Sequence, residues 1–173
     1  NTVGDRNTAV GQAALYTYNP SSNEDSYNTA FGYAALKLDT TGKYNTALGG
    51  EALAANTTAD NNTAVGYSAL LSNTTGTYNV AIGNYALDAN TTASNNTALG
   101  YGSLSSSTTA SDNTAVGTLS QNQTTTGSNN TAVGRLSLNQ NTTGSENTAV
   151  GNEALENNTT ASNNTAVGYR ALE

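Results

Sequence analysis

The stretch NNTAVGYSALLSNTTGTYNVAIGNYALDANTTASNNTALGYGSL, residues 61–104, contains nearly the same sequence motif three times. Its pentad of Asn, Thr or Val, Ala, a large apolar residue and Gly recurs along the whole chain. From the second pentad onward the spacing is 17 residues, whereas the first interval is 21 residues. We number each unit from the pentad Asn as position 1, and these residues are Asn7, Asn28, Asn45, Asn62, Asn79, Asn96, Asn113, Asn130, Asn147 and Asn164.

A fixed unit of this length is too short for a helical hairpin repeat, but it suits one coil of a solenoid with short strands and tight corners. We therefore predict a mainly β fold, a parallel β-solenoid of about ten coils stacked about 4.8 Å apart. The chain is expected to be a single repeat domain over residues 1–173. A partial coil covers residues 1–6, and the four extra residues of the first unit form an insertion loop within residues 16–26.

Positions 1 to 4 alternate as in a strand, which places positions 2 and 4 on one face and positions 1 and 3 on the other. We predict a core stripe made by the large apolar residues of positions 4 and 9. Position 4 holds Val10, Phe31, Leu48, Val65, Ile82, Leu99, Val116, Val133, Val150 and Val167. Position 9 holds Leu15, Leu36, Leu53, Leu70, Leu87, Leu104, Leu138, Leu155 and Leu172, with Gln121 as the exception.

Two other positions predict backbone geometry. Gly at position 5 allows a corner with φ > 0, and the Asn at position 1 can cap a turn and form an amide ladder with the coils on either side. The second arm of each coil leaves two alternatives open. A second strand is slightly favoured because stacking rewards main-chain pairing, and a short helical turn is the rival because positions 5, 8, 9 and 12 follow helical spacing.

The composition predicts a thin core and lateral association. Only 35% of the residues are hydrophobic and 10% are charged. Burial in one coil offsets little of the entropy lost on ordering it, so we expect the chains to associate side by side. The net charge of -7 and the scattered Lys and Arg residues disfavour nucleic acid as a partner. No apolar run is long enough for membrane insertion of this segment.

The sequence lacks two of the residue types that commonly carry out catalysis. The sequence has no His and no Cys, which excludes imidazole bases and thiolate ligands. The carboxylates fall at different positions of the unit, as solubilising charges do. We therefore predict no enzyme activity, no cofactor and no metal site. Calcium at Glu24 and Asp25 in the insertion loop is a weaker alternative to a simple polar bulge.

Two surface arrays could bind a ligand. Tyr33, Tyr67, Tyr101 and Tyr169 share position 6, where exposed rings would offer stacking surfaces for sugars, although packing of the rings on neighbouring coils is favoured. Thr-Thr pairs at positions 13 and 14 invite comparison with ice-binding solenoids. Adjacent strand residues point to opposite faces, so a turn with hydroxyls bonded to the backbone is the favoured interpretation.

The hexads NNTAVG (residues 61–66 and 129–134) and YNVAIG (residues 78–83) resemble the N-S-V-A-I-G signature in the head repeats of trimeric autotransporter adhesins. The whole unit is also similar to repeats in the shafts of phage tail fibres. The adhesin-head unit is shorter, and this chain departs from it by a longer Asn-Thr-Thr loop. The resemblance implies a homotrimeric, left-handed parallel β-roll on a cell or virion surface.

The expected function is a structural, non-enzymatic segment of an extracellular or surface fibre, with contacts to cell-surface glycans along its exposed edges. The alternative is a subunit of an extracellular filament built by end-to-end stacking of solenoids. An ice-binding solenoid ranks third. In each of the first two cases the main partner is the chain itself.

Overall fold

The computed structural model describes residues 6–20 and 25–173. Each coil contributes one strand of three residues, which occupies positions 2 to 4 of the unit. The strands are β1 (Thr8–Val10), β2 (Thr29–Phe31), β3 (Thr46–Leu48), β4 (Thr63–Val65), β5 (Val80–Ile82), β6 (Thr97–Leu99), β7 (Thr114–Val116), β8 (Thr131–Val133), β9 (Thr148–Val150) and β10 (Thr165–Val167).

The ten strands form one parallel sheet in chain order. Each residue pairs with its equivalent in the next unit, as Thr46 does with Thr63. Thr8 pairs with Thr29 in the same way, although this first interval is longer, so the insertion does not shift the register. The predicted parallel β-solenoid is confirmed. No helix occurs among the residues that the structure describes.

The core of each coil is narrower than the sequence suggests. From coil 2 onward the Ala residues of position 3, such as Ala64 and Ala81, are buried. They pack with the Ala found at position 8 of most coils and with the Leu of position 9, for example Leu70 and Leu87. Seven of the nine predicted Leu residues at position 9 lie in this core. Leu15 is only half-buried and Leu172 is exposed, because they belong to the first and last coils.

The position-4 half of the predicted core stripe is wrong. Alternation along a strand requires position 4 to face away from the core once the Ala of position 3 faces inward. Val65 and Val116 are half-buried on the outer surface. The other members are exposed, namely Val10, Phe31, Leu48, Ile82, Leu99, Val133, Val150 and Val167.

Neither predicted form of the second arm occurs. Positions 7 and 9 adopt positive φ in successive coils, as shown by Glu51 at 60° and Leu53 at 51°. The Leu53 N–H donates to the carbonyl of Ala69 in the next coil over 3.0 Å. A left-handed conformation costs a non-glycine residue about 1–2 kcal/mol. Burial of the Leu side chain and the bond between coils offset that cost, which is why the helical-turn interpretation fails.

The corner at position 5 depends on Gly. Gly49 has φ 137°, and a Cβ placed on it would lie 2.5 Å from the carbonyl oxygen of Gly66 in the next coil. The Gly49 N–H also donates to the carbonyl of Phe31 in the preceding coil, over 2.8 Å. Successive corners therefore stack backbone on backbone, without room for a side chain.

The apolar core is interrupted at coil 7. One buried apolar cluster ends at Ala115, and a second begins at Ala132. Gln121 stands between them at position 9, where every other coil carries Leu, and Ser120 precedes it at position 8, which is also Ser in coils 6 and 8 and Ala in the rest. The Gln121 Nε2 donates to the carbonyl of Thr114 over 2.9 Å, but its buried Oε1 has no hydrogen-bond partner. The rod thus has two apolar segments joined by a polar layer.

Candidate functional site

The ten Asn residues at position 1 form a column along the inside of the sheet. Its members from Asn28 to Asn147 are at most 1% exposed. In a typical coil, Asn79 Nδ2 donates to the carbonyl of Ala93 in its own coil over 2.9 Å. Its Oδ1 accepts the backbone N–H of Asn96 in the next coil over 3.0 Å. Each amide therefore closes one coil and joins it to the next.

A second amide column at position 12 was missed by sequence reasoning. Its members are Asn56, Asn73, Asn90, Asn141 and Asn158. Asn73 Nδ2 donates to Asn56 Oδ1 over 3.2 Å and to the carbonyl of Gly76 over 3.0 Å. The signal in the sequence is an Asn before five of the eight Thr-Thr pairs of positions 13 and 14, at the same period as the pentad.

Among coils 2 to 9, three lack Asn at position 12. Ser107 and Thr124 interrupt the column in coils 6 and 7. Asn90 Oδ1 in the preceding coil 5 and Thr124 Oγ1 in coil 7 are buried without a hydrogen-bond partner. In coil 2 the residue is Asp39, which is completely buried. Its Oδ1 accepts the Gly42 N–H over 3.0 Å and Asn56 Nδ2 over 3.1 Å.

Burial raises the pKa of Asp39 to about 7, and nearby Asp60 adds to the effect, whereas hydrogen bonds to the carboxylate oppose it. Tyr18, from the first coil, is also buried, and its hydroxyl donates a hydrogen bond to Ser26. Burial likewise raises the pKa of the Tyr18 phenol, with a smaller contribution from the charge of Asp39. This end of the rod therefore contains an ionisable group inside an otherwise neutral column.

The outward face of the sheet carries the side chains of positions 2 and 4. Position 2 is Thr in every coil except for Val80, and position 4 is always aliphatic or Phe. Exposure reaches 56% for Phe31 and 44% for Leu99. No coil has a charged residue at either position. The outward face is thus an unbroken stripe of apolar and Thr side chains.

The predicted tyrosines do not form one array. Tyr33, Tyr67 and Tyr101 occupy every second coil, while Tyr169 lies four coils beyond Tyr101, with the Arg170 guanidinium 5.4 Å from its ring centre. Tyr85, at position 7 of the intervening coil, was missed. Its ring centre lies 5.6 Å from that of Tyr67 and 6.1 Å from that of Tyr101, in both cases nearly perpendicular. We call Tyr67, Tyr85 and Tyr101 the tyrosine row.

A cleft of about 450 Å³ lies beside Tyr33. Ala54 and Ala55 line it, and Ala54 is smaller than Lys37 and Leu71 at the same position of the two adjacent coils. Tyr33, Lys37 and Glu51, whose side chains carry polar groups, also line it. This volume and the mostly apolar lining with a few polar groups are typical of small-molecule sites.

Tyr27, Tyr44 and Tyr78 lie on another edge, at position 17. Tyr27 and Tyr44 stack with ring centres 5.6 Å apart. Arg6 contacts the Tyr27 ring and forms an ion pair with Asp25 over 2.9 Å. Asp25 thus has a cationic partner, and Glu24 of the suggested calcium site lies outside the described residues.

The Thr pairs take the geometry of a turn. The Thr74 Oγ1 donates to the carbonyl of Thr91 in the next coil over 3.0 Å, and the same bond recurs at position 13 in other coils. Position 14 is exposed in every full coil, from Thr41 to Thr160. The first Thr of the pair is half-buried in coils 3, 4, 5, 7 and 8, whereas Thr40, Thr108 and Thr159 are exposed together with the Thr that follows each of them.

Within the described ranges, no group of three or more acidic side chains is placed to hold a metal ion, and no helix has the length and apolarity to span a membrane. No family model, curated protein or solved structure matches this chain. The resemblance to adhesin and tail-fibre repeats thus remains a prediction from the motifs.

Proposed function

We propose that this chain is a structural, non-enzymatic segment of an extracellular or surface fibre, in which copies associate side by side through the outward face. The observation that carries the proposal is the uncharged Thr and aliphatic stripe. It continues over ten strands, or about 43 Å at about 4.8 Å per step. Exposed apolar patches of such extent are typical of protein interfaces.

A second copy of the chain is the partner that suits this surface. A partner must present side chains at the same spacing along the rod as the spacing between coils. Every copy of this chain has that spacing, because all copies share the same stacked coils. Because positions 2 and 4 carry no charge, facing copies bring no like charges together. The thin core of one coil gives a further reason for association, since lateral contact would bury the apolar side chains that folding leaves exposed.

The resemblance to adhesin-head repeats favours three copies around an axis, with left-handed coils. Such a rod supplies length, stiffness and multivalency, and it needs no reactive side chain. The lack of His and Cys agrees with this function, because the chain has neither an imidazole base nor a thiol nucleophile.

Light scattering after size-exclusion chromatography tests the lateral association. The unaltered chain is expected at three times 17.5 kDa. The double variant Ile82→Lys with Leu99→Lys should run as a folded monomer, because two charges would be buried in the interface. Thr92→Lys, at exposed position 14, is the matched control and should keep the trimer mass.

Circular dichroism distinguishes dissociation from unfolding in these variants. A folded monomer of the unaltered chain at micromolar concentration would contradict the proposal. Open-ended threads in negative-stain images, unaffected by the double variant, would also contradict it and would favour end-to-end stacking.

A further inference from the structure

The cleft and the tyrosine row form one continuous surface over coils 2 to 6. A Cβ at Gly50 would lie 3.3 Å from the Tyr67 ring, so this ring leans over coil 3 toward the cleft. Glu51 follows Gly50, lines the cleft and accepts a hydrogen bond from the Ser68 hydroxyl over 3.3 Å. The surface therefore passes from a concave end to an aromatic end without a break.

The rings of the tyrosine row are held in place but remain accessible. Edge-to-face contacts with Tyr85 restrain Tyr67 and Tyr101, and such pairs contribute about 0.5–1.5 kcal/mol beyond area burial. The three side chains are still 40–54% exposed. Little ordering entropy would then be lost when a ligand packs on them.

The spacing of the rings points to the ligand class. Tyr33, Tyr67 and Tyr101 recur every second coil, which corresponds to about 10 Å for two steps of about 4.8 Å. An extended β-1,4-linked hexopyranose chain repeats every two sugars over a similar distance, and the C–H face of a pyranose packs on aromatic rings. We propose that this surface binds an extended, uncharged β-1,4-linked glycan, with one end of the glycan in the cleft.

Polar side chains on the same surface match the hydroxyl groups of such a ligand. Lys37 can donate and Glu51 can accept at the cleft, and exposed Asn84 lies between Tyr67 and Tyr101. The methyl groups of Ala54 and Ala55 in the lining suit the apolar face of a sugar or an acetamido methyl group. The net charge of -7 disfavours polyanionic glycans.

Isothermal titration calorimetry with cellohexaose and chitohexaose as probes tests the site. Saturable binding of at least one probe is expected, and the probe that binds identifies the sugar. Tyr67→Ala and Tyr101→Ala should each weaken binding about 10-fold, and Tyr67→Phe should retain it, because the ring provides the contact. Tyr78→Ala removes an exposed tyrosine from another edge and should leave the affinity unchanged.

Absence of saturable binding of both probes would overturn the proposal, as would equal losses for Tyr78→Ala and Tyr67→Ala. The site lies within one chain, so its failure is distinguishable from failure of the lateral association. The mass of the tyrosine variants is expected to equal that of the unaltered chain, and the Ile82→Lys, Leu99→Lys monomer should still bind the probe.

Discussion

Replacing Asp39 by Asn is expected to raise the free energy of unfolding by about 4 kcal/mol at pH 8. The pKa of the buried carboxyl is about 7, compared with 3.8 for an exposed one, and each pKa unit corresponds to about 1.4 kcal/mol. Asn fits at this position because Asn56, the equivalent residue of the next coil, is an Asn that is buried and hydrogen-bonded in the same column. There the carbonyl of Ala59 accepts from both Asn45 and Asn56.

The gain should depend on pH in a defined direction. Because folding raises the pKa of Asp39, the folded chain holds this proton through a range in which the unfolded chain has released it. The contribution of protonated Asp39 to the free energy of unfolding is complete below about pH 4. It is lost as the pH rises to about 7. The advantage of Asp39→Asn should therefore be about half as large at pH 5 as at pH 8, or smaller.

Chemical denaturation followed by circular dichroism, at fixed chain concentration, measures this difference. Asp112→Asn is the matched control, since Asp112 is exposed at position 17, where Asn61, Asn95 and Asn129 already occur. Its effect should stay within about 0.5 kcal/mol at both pH values. Equal stabilities of the unaltered chain and Asp39→Asn at pH 8 would show that Asp39 is not buried in the column.

Replacing Gly49 by Ala is expected to cost roughly 3–5 kcal/mol of folding free energy. The φ of 137° is strained for any L side chain, and the new Cβ would overlap the Gly66 carbonyl at 2.5 Å. Relief requires the coils to separate locally, which would stretch the ladder bond from the Gly66 N–H to Leu48, now 2.8 Å long.

The neighbouring Gly50→Ala supplies the control. Gly50 lacks the positive φ of Gly49, and its Cβ would lie 3.3 Å from the ring of Tyr67, which needs to shift only slightly to accommodate it. We expect a change within about 1 kcal/mol. Thermal unfolding of the two variants should differ widely, and similar losses for both would refute the backbone-on-backbone corner.

The strands, their register and the Asn column at position 1 could be predicted from the sequence because each depends on a single repeated rule. A period of 17 residues stacks equivalent positions, and alternation gives each strand residue its face. The rule does not say which face is inside. Leu48 and Ile82 are larger than Ala47 and Ala81, so size suggested the wrong side. The narrow space opposite the Leu of position 9 admits only the Ala residues.

The second arm could not be predicted because its conformation opposes local preference. Residues such as Leu53 and Leu70 rarely adopt positive φ, and nothing in the adjacent sequence indicates it. Stacking provides the compensation, so the cause is tertiary. The carboxyl of Asp39 was missed for a similar reason, since its burial depends on belonging to the position-12 column.

Distances between spin labels along one column test the stacked-coil architecture most directly. Labels at the exposed Thr residues of position 14, on chains diluted with unlabelled chain, should give separations that grow linearly with the number of coils. We predict about 19 Å for Thr75 with Thr143 and about 34 Å for Thr41 with Thr160, from about 4.8 Å per coil. Separations that do not increase with the number of intervening coils would contradict the solenoid and, with it, the proposed fibre.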